Sequence, residues 1–198
     1  RAPAPSPHRL GHLKTINSFW VSWTAMSWCF FAPLTVGVLP HQKTLSVGGE
    51  IGELRKEETH IVPLAIKASR QLKTFKLFGA KYPTEDGTCV RDYVHVMDLA
   101  DAHIKALNYT HENNCAEVFN LGSGAPVSNR ELLDVIQKHT GKMDIKFEPN
   151  RAGDPAYLVA DITKVKNVLN WKPTQSSIDN VVGTAVKWYN KMHKKEIQ

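Results

Sequence analysis

Val90-Arg91-Asp92-Tyr93-Val94-His95-Val96-Met97-Asp98-Leu99-Ala100-Asp101-Ala102-His103 decides the fold class of this 198-residue chain. Residues 90–96 are rich in valine and read as a strand. Asp98 then stands immediately before Leu99, Ala102, Ala106 and Leu107. That order predicts an N-cap aspartate opening a helix with those four residues on its buried face. A strand running into a helix is the repeating step of an α/β protein.

The flanks continue the pattern. Ile61, Leu64, Ala65, Ala68 and Leu72 fall at helical spacing over 60–72, and 73–77 alternates as a short strand would. Residues 82–87 combine Pro83 with Asp86-Gly87, which predicts a turn. Residues 117–121 read as a second strand, ended by Gly122-Ser123-Gly124. Ser128-Asn129-Arg130-Glu131 is a capping box opening a helix whose stripe is Leu132, Val135, Ile136 and His139, closed by Gly141. A strand over 144–148 and a helix over 161–169, stopped by Asn170, follow. The last helix carries Ile178, Val181, Val182, Ala185, Val186 and Tyr189 on one face.

Charge is unevenly distributed. The formal net charge is +6, but Arg1, Arg9, Lys14 and Lys43 all precede the first acidic residue, Glu50, so the remainder has only a small basic excess. A nucleic-acid binder carries its surplus on the folded body, so no nucleic-acid partner is expected. Lys67, Arg70, Lys73 and Lys76 recur every three residues without interleaved aromatics and read as a solvated face.

Cys29, Cys89 and Cys115 form no C-x-x-C pair, and an odd, sparse set points to a reducing, cytoplasmic setting. The nine histidines show no metal-ligand spacing, so no metal is expected. Trp20, Trp23 and Trp28 lie in an uncharged stretch over 15–42 that is long enough for the roughly 20 apolar residues of a membrane span. Interspersed Ser, Thr and Asn and the break at Pro33 weaken that reading. It stands as a signal anchor or, preferred here, as an appended segment, with a membrane partner not expected.

Residues 78–103, from Phe78-Gly79-Ala80-Lys81-Tyr82-Pro83 through Arg91-Asp92-Tyr93 to Asp101-Ala102-His103, closely resemble the carboxy-terminal half of the UDP-glucose 4-epimerase family. Phe119-Asn120-Leu121-Gly122-Ser123-Gly124, Arg151-Ala152-Gly153-Asp154-Pro155-Ala156 and Leu169-Asn170-Trp171-Lys172-Pro173 follow in the family's order. Gly49-Glu50-Ile51-Gly52-Glu53 and Glu58-Thr59-His60-Ile61-Val62-Pro63-Leu64 fit upstream. The resemblance covers about residues 48–198. It implies the carboxy-terminal portion of a Rossmann-like extended short-chain dehydrogenase/reductase: an incomplete parallel sheet plus a small substrate-binding domain. The expected division is a non-matching leader over 1–48, unstructured or misjoined, and a substrate-binding region over 49–198.

The family shuttles hydride between NAD and C4 of a UDP-sugar, and intact members are homodimers. By resemblance, Arg91 and Arg151 match its diphosphate-binding arginines, and Asp154 matches the acceptor of the ribose hydroxyls. Planar guanidiniums suit phosphate because they donate paired hydrogen bonds. An Arg91–Asp92 or Arg151–Asp154 surface pair is the plain structural alternative. Lys76, Leu77 and Phe78 fall where the family's chain lies along the uracil, although a phenylalanine is as readily core. His60 and Ile61 occupy an Asn-Leu position near the diphosphate, and Tyr93 is as consistent with packing as with ligand contact. Leu158, or Tyr157 after a one-residue shift, aligns with a position linked to N-acetylated sugars and decides nothing about specificity.

Two parts of the family's machinery have no counterpart. A dinucleotide needs a glycine-rich strand-to-helix turn, and Gly48-Gly49-Glu50-Ile51-Gly52 opens no predicted helix. No tyrosine is followed four residues later by lysine, so the catalytic Tyr-x-x-x-Lys is missing. The expectation is a UDP-sugar-binding part of an epimerase, a truncated or misjoined product inactive by itself, with no catalytic residue and no bound NAD. Part of a UDP-xylose or UDP-N-acetylglucosamine 4-epimerase, or a non-catalytic UDP-sugar-binding paralogue, is the alternative.

Overall fold

The computed structural model describes residues 35–38, 46–52 and 57–194. Residues 1–34 and 39–45, most of the stretch read as a leader and anchor, lie outside the described residues. Within that stretch Thr35–Val38 forms strand β1, and Ser46–Val47 forms β2. The chain continues as β3 (Ile51–Gly52), α1 (Ile61–Arg70), β4 (Phe75–Phe78), β5 (Val90–Asp92), α2 (Val96–Asn113) and β6 (Val118–Leu121). It ends as β7 (Pro126–Ser128), α3 (Asn129–Thr140), β8 (Ile145–Glu148), β9 (Tyr157–Leu158), α4 (Thr163–Leu169) and α5 (Ile178–Met192). β1 pairs with β6 and β4 with β8, both parallel; β5 lies between antiparallel β7 and parallel β9. The α/β expectation holds.

Two apolar clusters carry the packing. One joins the faces of α1, α3 and α5 to β4 through Ile66, Leu77, Leu132, Leu133, Ile136, Val181 and Val182. The other packs α2 and α4 on β6 through Ala102, Ala106, Phe119, Leu121, Val165 and Trp171. The Ser128 cap forms as the sequence predicts: its hydroxyl accepts from the Glu131 N–H at 3.0 Å.

Three expectations are corrected. The β5 ladder stops at Asp92, not residue 96, because the Asp92 carboxylate turns to serve the loops beside it. It accepts from Ser123 N–H at 2.6 Å, Ser123 Oγ at 2.5 Å and Ala160 N–H at 3.2 Å, and is fully buried. Asp98 is not the N-cap of α2; His95 is, its Nδ1 accepting from Met97 N–H at 3.1 Å. Asp98 is buried and accepts from Thr174 N–H (2.9 Å), Gln175 N–H (2.9 Å) and Ser176 Oγ (2.5 Å), tying the segment after Trp171 to α2. A buried carboxylate needs such donors, and a distant loop supplies them. Leu107 is exposed rather than buried on α2. Among the described residues no helix is long and apolar enough to cross a membrane, and no His, Cys, Asp or Glu cluster suits a metal.

A Cβ at Gly122 would meet Asp92 Oδ2 at 2.1 Å and Ala160 Cβ at 2.8 Å. Gly122→Ala therefore lowers unfolding free energy by roughly 1–3 kcal/mol. Gly183→Ala on α5, whose nearest neighbour is 3.4 Å away, raises it by up to about 1 kcal/mol, with urea titration reading both. His95 is buried, and burial holds its imidazole below the ordinary value despite nearby Asp98. Its contribution is complete above the unfolded histidine value of about 6.5 and is lost as pH falls from there toward the lowered folded value. Urea titrations from pH 7.5 to 5 should show His95→Asn, which keeps a capping acceptor, losing less stability than wild type.

Candidate functional site

β4, β5, the start of α1 and the 151–154 turn enclose one cavity of about 730 Å³. Strand alternation sets β4's contribution: Leu77 is buried, while Lys76 is exposed and Phe78 half-buried at the cavity wall. The parallel pairing of β4 with β8, Phe78 opposite Glu148, holds that strand in register. At the other side His60 precedes α1, its backbone N–H held by Glu58 Oε1 at 2.8 Å, and Ile61 begins the helix. Gly153 takes a φ of +78°, which lets residues 151–154 turn back so that Asp154 N–H reaches Arg151 O at 3.3 Å.

Arg91 is the most constrained cation of the site. Its side chain is 7% exposed; Nη1 donates to Val90 O at 2.8 Å and Nη2 to Asp154 Oδ1 at 2.5 Å. Cys89 Sγ lies 3.8 Å from Asp154 Oδ2, and burial pushes its thiol above the usual value. Neither the Arg91–Asp92 nor the Arg151–Asp154 pair considered from sequence forms; the ion pair runs from Arg91 to Asp154. Arg151 instead lies over the Phe78 ring, 4.0 Å from its centroid, an arrangement that keeps a charged group near an aromatic face. Tyr93 is buried, its phenol donates to Asn129 Oδ1 at 3.1 Å, and burial pushes its ionisation well above the ordinary tyrosine value.

The cavity thus brings together the nine residues matched from sequence to a UDP-sugar site: His60, Ile61, Lys76, Leu77, Phe78, Arg91, Tyr93, Arg151 and Asp154 all line it, while Tyr157 and Leu158 do not. Asn129 lines it too, although sequence reading placed it only inside a capping box. Lys67 and Lys73 are exposed, as a solvated face requires, yet they also border the cavity. Two guanidiniums, one neutralised and one stacked on Phe78, in a cavity of mixed polar and apolar lining suit an elongated anion with a flat ring at one end.

The glycine-rich stretch does not fit a dinucleotide. Gly48 and Gly49 form the turn between two-residue strands β2 and β3, and a Cβ on Gly49 would strike Lys187 of α5 at 2.5 Å. That glycine makes room for a helix side chain rather than for a pyrophosphate. Among the described residues no strand-to-helix glycine turn offers backbone donors to NAD.

A profile of the family described as GDP-mannose 4,6 dehydratase matches residues 50–183. The UDP-glucose 4-epimerase of Lactobacillus helveticus is 47% identical over 153 residues, 76% of this chain and 46% of that protein. That of Lacticaseibacillus casei is 46% identical over 143 residues, 71% of this chain and 43% of that protein. The crystal structure of the Bifidobacterium longum UDP-glucose 4-epimerase in complex with NAD+ and UDP is 30% identical with a TM-score of 0.70, covering 80% of this chain and 48% of that one. The chain spans less than half the length of these relatives. With that match, and with the cavity built from the same ordered motifs, the chain belongs to the GDP-mannose 4,6 dehydratase family and corresponds to the carboxy-terminal portion of its UDP-glucose 4-epimerases.

Proposed function

We propose that this chain is the UDP-sugar-binding portion of a UDP-glucose 4-epimerase, an enzyme interconverting UDP-glucose and UDP-galactose in galactose metabolism. The observation that carries this is the convergence of Arg91, Arg151, Asp154 and the 76–78 strand on one cavity. In this reading the ring of Phe78 and the chain of β4 receive the uracil, Arg151 and Arg91 take the diphosphate, and Asp154 accepts from the ribose hydroxyls. Arg91 exchanges its 2.5 Å bond to Asp154 for phosphate oxygens, and the freed carboxylate becomes available to the ribose. Fixing the nucleotide end leaves the sugar lightly held, which a reaction that turns the sugar over requires.

The hydride step is not assigned to these residues. No Tyr-x-x-x-Lys occurs in the sequence, and the described glycines do not form a dinucleotide turn. The 198-residue chain by itself is therefore read as a binder without epimerase turnover. The same reading carries a cytoplasmic location, supported by the free thiols of Cys89 and Cys115, and homodimeric assembly of the whole enzyme.

Calorimetric titration of the chain with UDP tests this. Wild type binds; Arg91→Lys, which keeps the charge without the planar fork, binds about fivefold or more weakly, and Arg91→Ala about tenfold or more weakly. Thermal melts of each variant separate binding loss from unfolding. UDP-galactose turnover by the purified chain would contradict the catalytic part, and absence of UDP binding by folded wild type would sink the binding part.

A further inference from the structure

The first turn of α3 borders the cavity, but its backbone donors are already used. Asn129 N–H donates to Cys89 O at 2.9 Å, Arg130 N–H to Thr88 Oγ1 at 3.3 Å and Glu131 N–H to Ser128 Oγ at 3.0 Å. Of the side chains in this first turn, Asn129 is the one that lines the cavity and can offer a donor there. That side chain is held in place from behind. The buried Tyr93 phenol must give its hydrogen to some acceptor, and Asn129 Oδ1, 3.1 Å away, receives it. The bond turns the amide oxygen toward Tyr93 and its nitrogen the other way. Asn129 is half-buried in the cavity wall, and among the described residues its Nδ2 has no acceptor.

We infer that Asn129 is a ligand-contacting residue, donating its amide N–H to a diphosphate oxygen of a bound nucleoside diphosphate, with Tyr93 as its positioning residue. The inference rests on the nucleotide-binding reading given above. A neutral donor adds directional recognition of an acceptor oxygen beside two guanidiniums without adding charge. The Tyr93 bond keeps the amide oxygen, which would repel phosphate, turned away.

The test is calorimetric titration of the whole chain with UDP, alongside thermal melts. Asn129→Leu removes the donor at similar volume and weakens UDP about fivefold or more. Asn129→Asp replaces the donor with a carboxylate and weakens UDP about twentyfold or more. Its melting temperature is unchanged or higher, because an acidic residue in the first turn favours the helix. A purely structural role would move binding and stability together. Tyr93→Phe weakens UDP about threefold and adds nothing further in the Asn129→Leu background. Wild-type affinity in folded Asn129→Leu overturns this inference alone, and additive losses in the double variant overturn the role of Tyr93. Failure of folded wild type to bind UDP overturns this inference together with the reading beneath it.

Discussion

The buried carboxylate of Asp92 is the constraint on which the site depends. Among the described residues it forms no ion pair, and it is satisfied by the Ser123 hydroxyl and by the backbone N–H groups of Ser123 and Ala160. A charge with no access to water is tolerated only when such donors surround it. The demand fixes three pieces of chain at one point: the end of β5, the turn after β6 and the segment before α4. Gly122 is part of the same arrangement, since any side chain there would enter the space of the carboxylate. With Asp92 turned to the loops, its neighbours Arg91 and Tyr93 are committed to the cavity wall.

The cavity then manages its own charge. An unpaired guanidinium as buried as that of Arg91 would be costly, and Asp154 offsets it at 2.5 Å. Arg151, more exposed, is held by Phe78 instead. In the proposed function, each of these contacts is a placeholder that nucleotide groups replace: phosphate for Asp154 at Arg91, and uracil near the ring of Phe78. In that reading, binding is directed to the part of the ligand that does not react.

Much of this was legible in the sequence where the signal is local. The Ser128 cap, the stripe from Ile178 to Tyr189 and the stop at Asn170, which adopts a φ of +45°, are read from adjacent residues alone. The ordered motifs pointed to the cavity residues before any geometry was known. What sequence reading missed is non-local. Asp98 looks like an N-cap because it precedes an apolar stripe, but its donors arrive from Thr174, Gln175 and Ser176, far along the chain. The Arg91–Asp154 pair spans 63 residues for the same reason. β7 and β9 are too short to show a period of two, and Asn129 hid inside a capping signal that fully explained it.

In the proposed function this cavity is a cradle for a nucleoside diphosphate. A crystal structure of the chain grown with UDP tests it most directly. UDP is expected in the cavity, with uracil along residues 76–78, both Arg91 and Arg151 on the diphosphate, and Asp154 moved from Arg91 to the ribose. UDP bound elsewhere on the chain, or a saturated crystal in which the Arg91–Asp154 pair persists and the cavity holds no nucleotide, would contradict it.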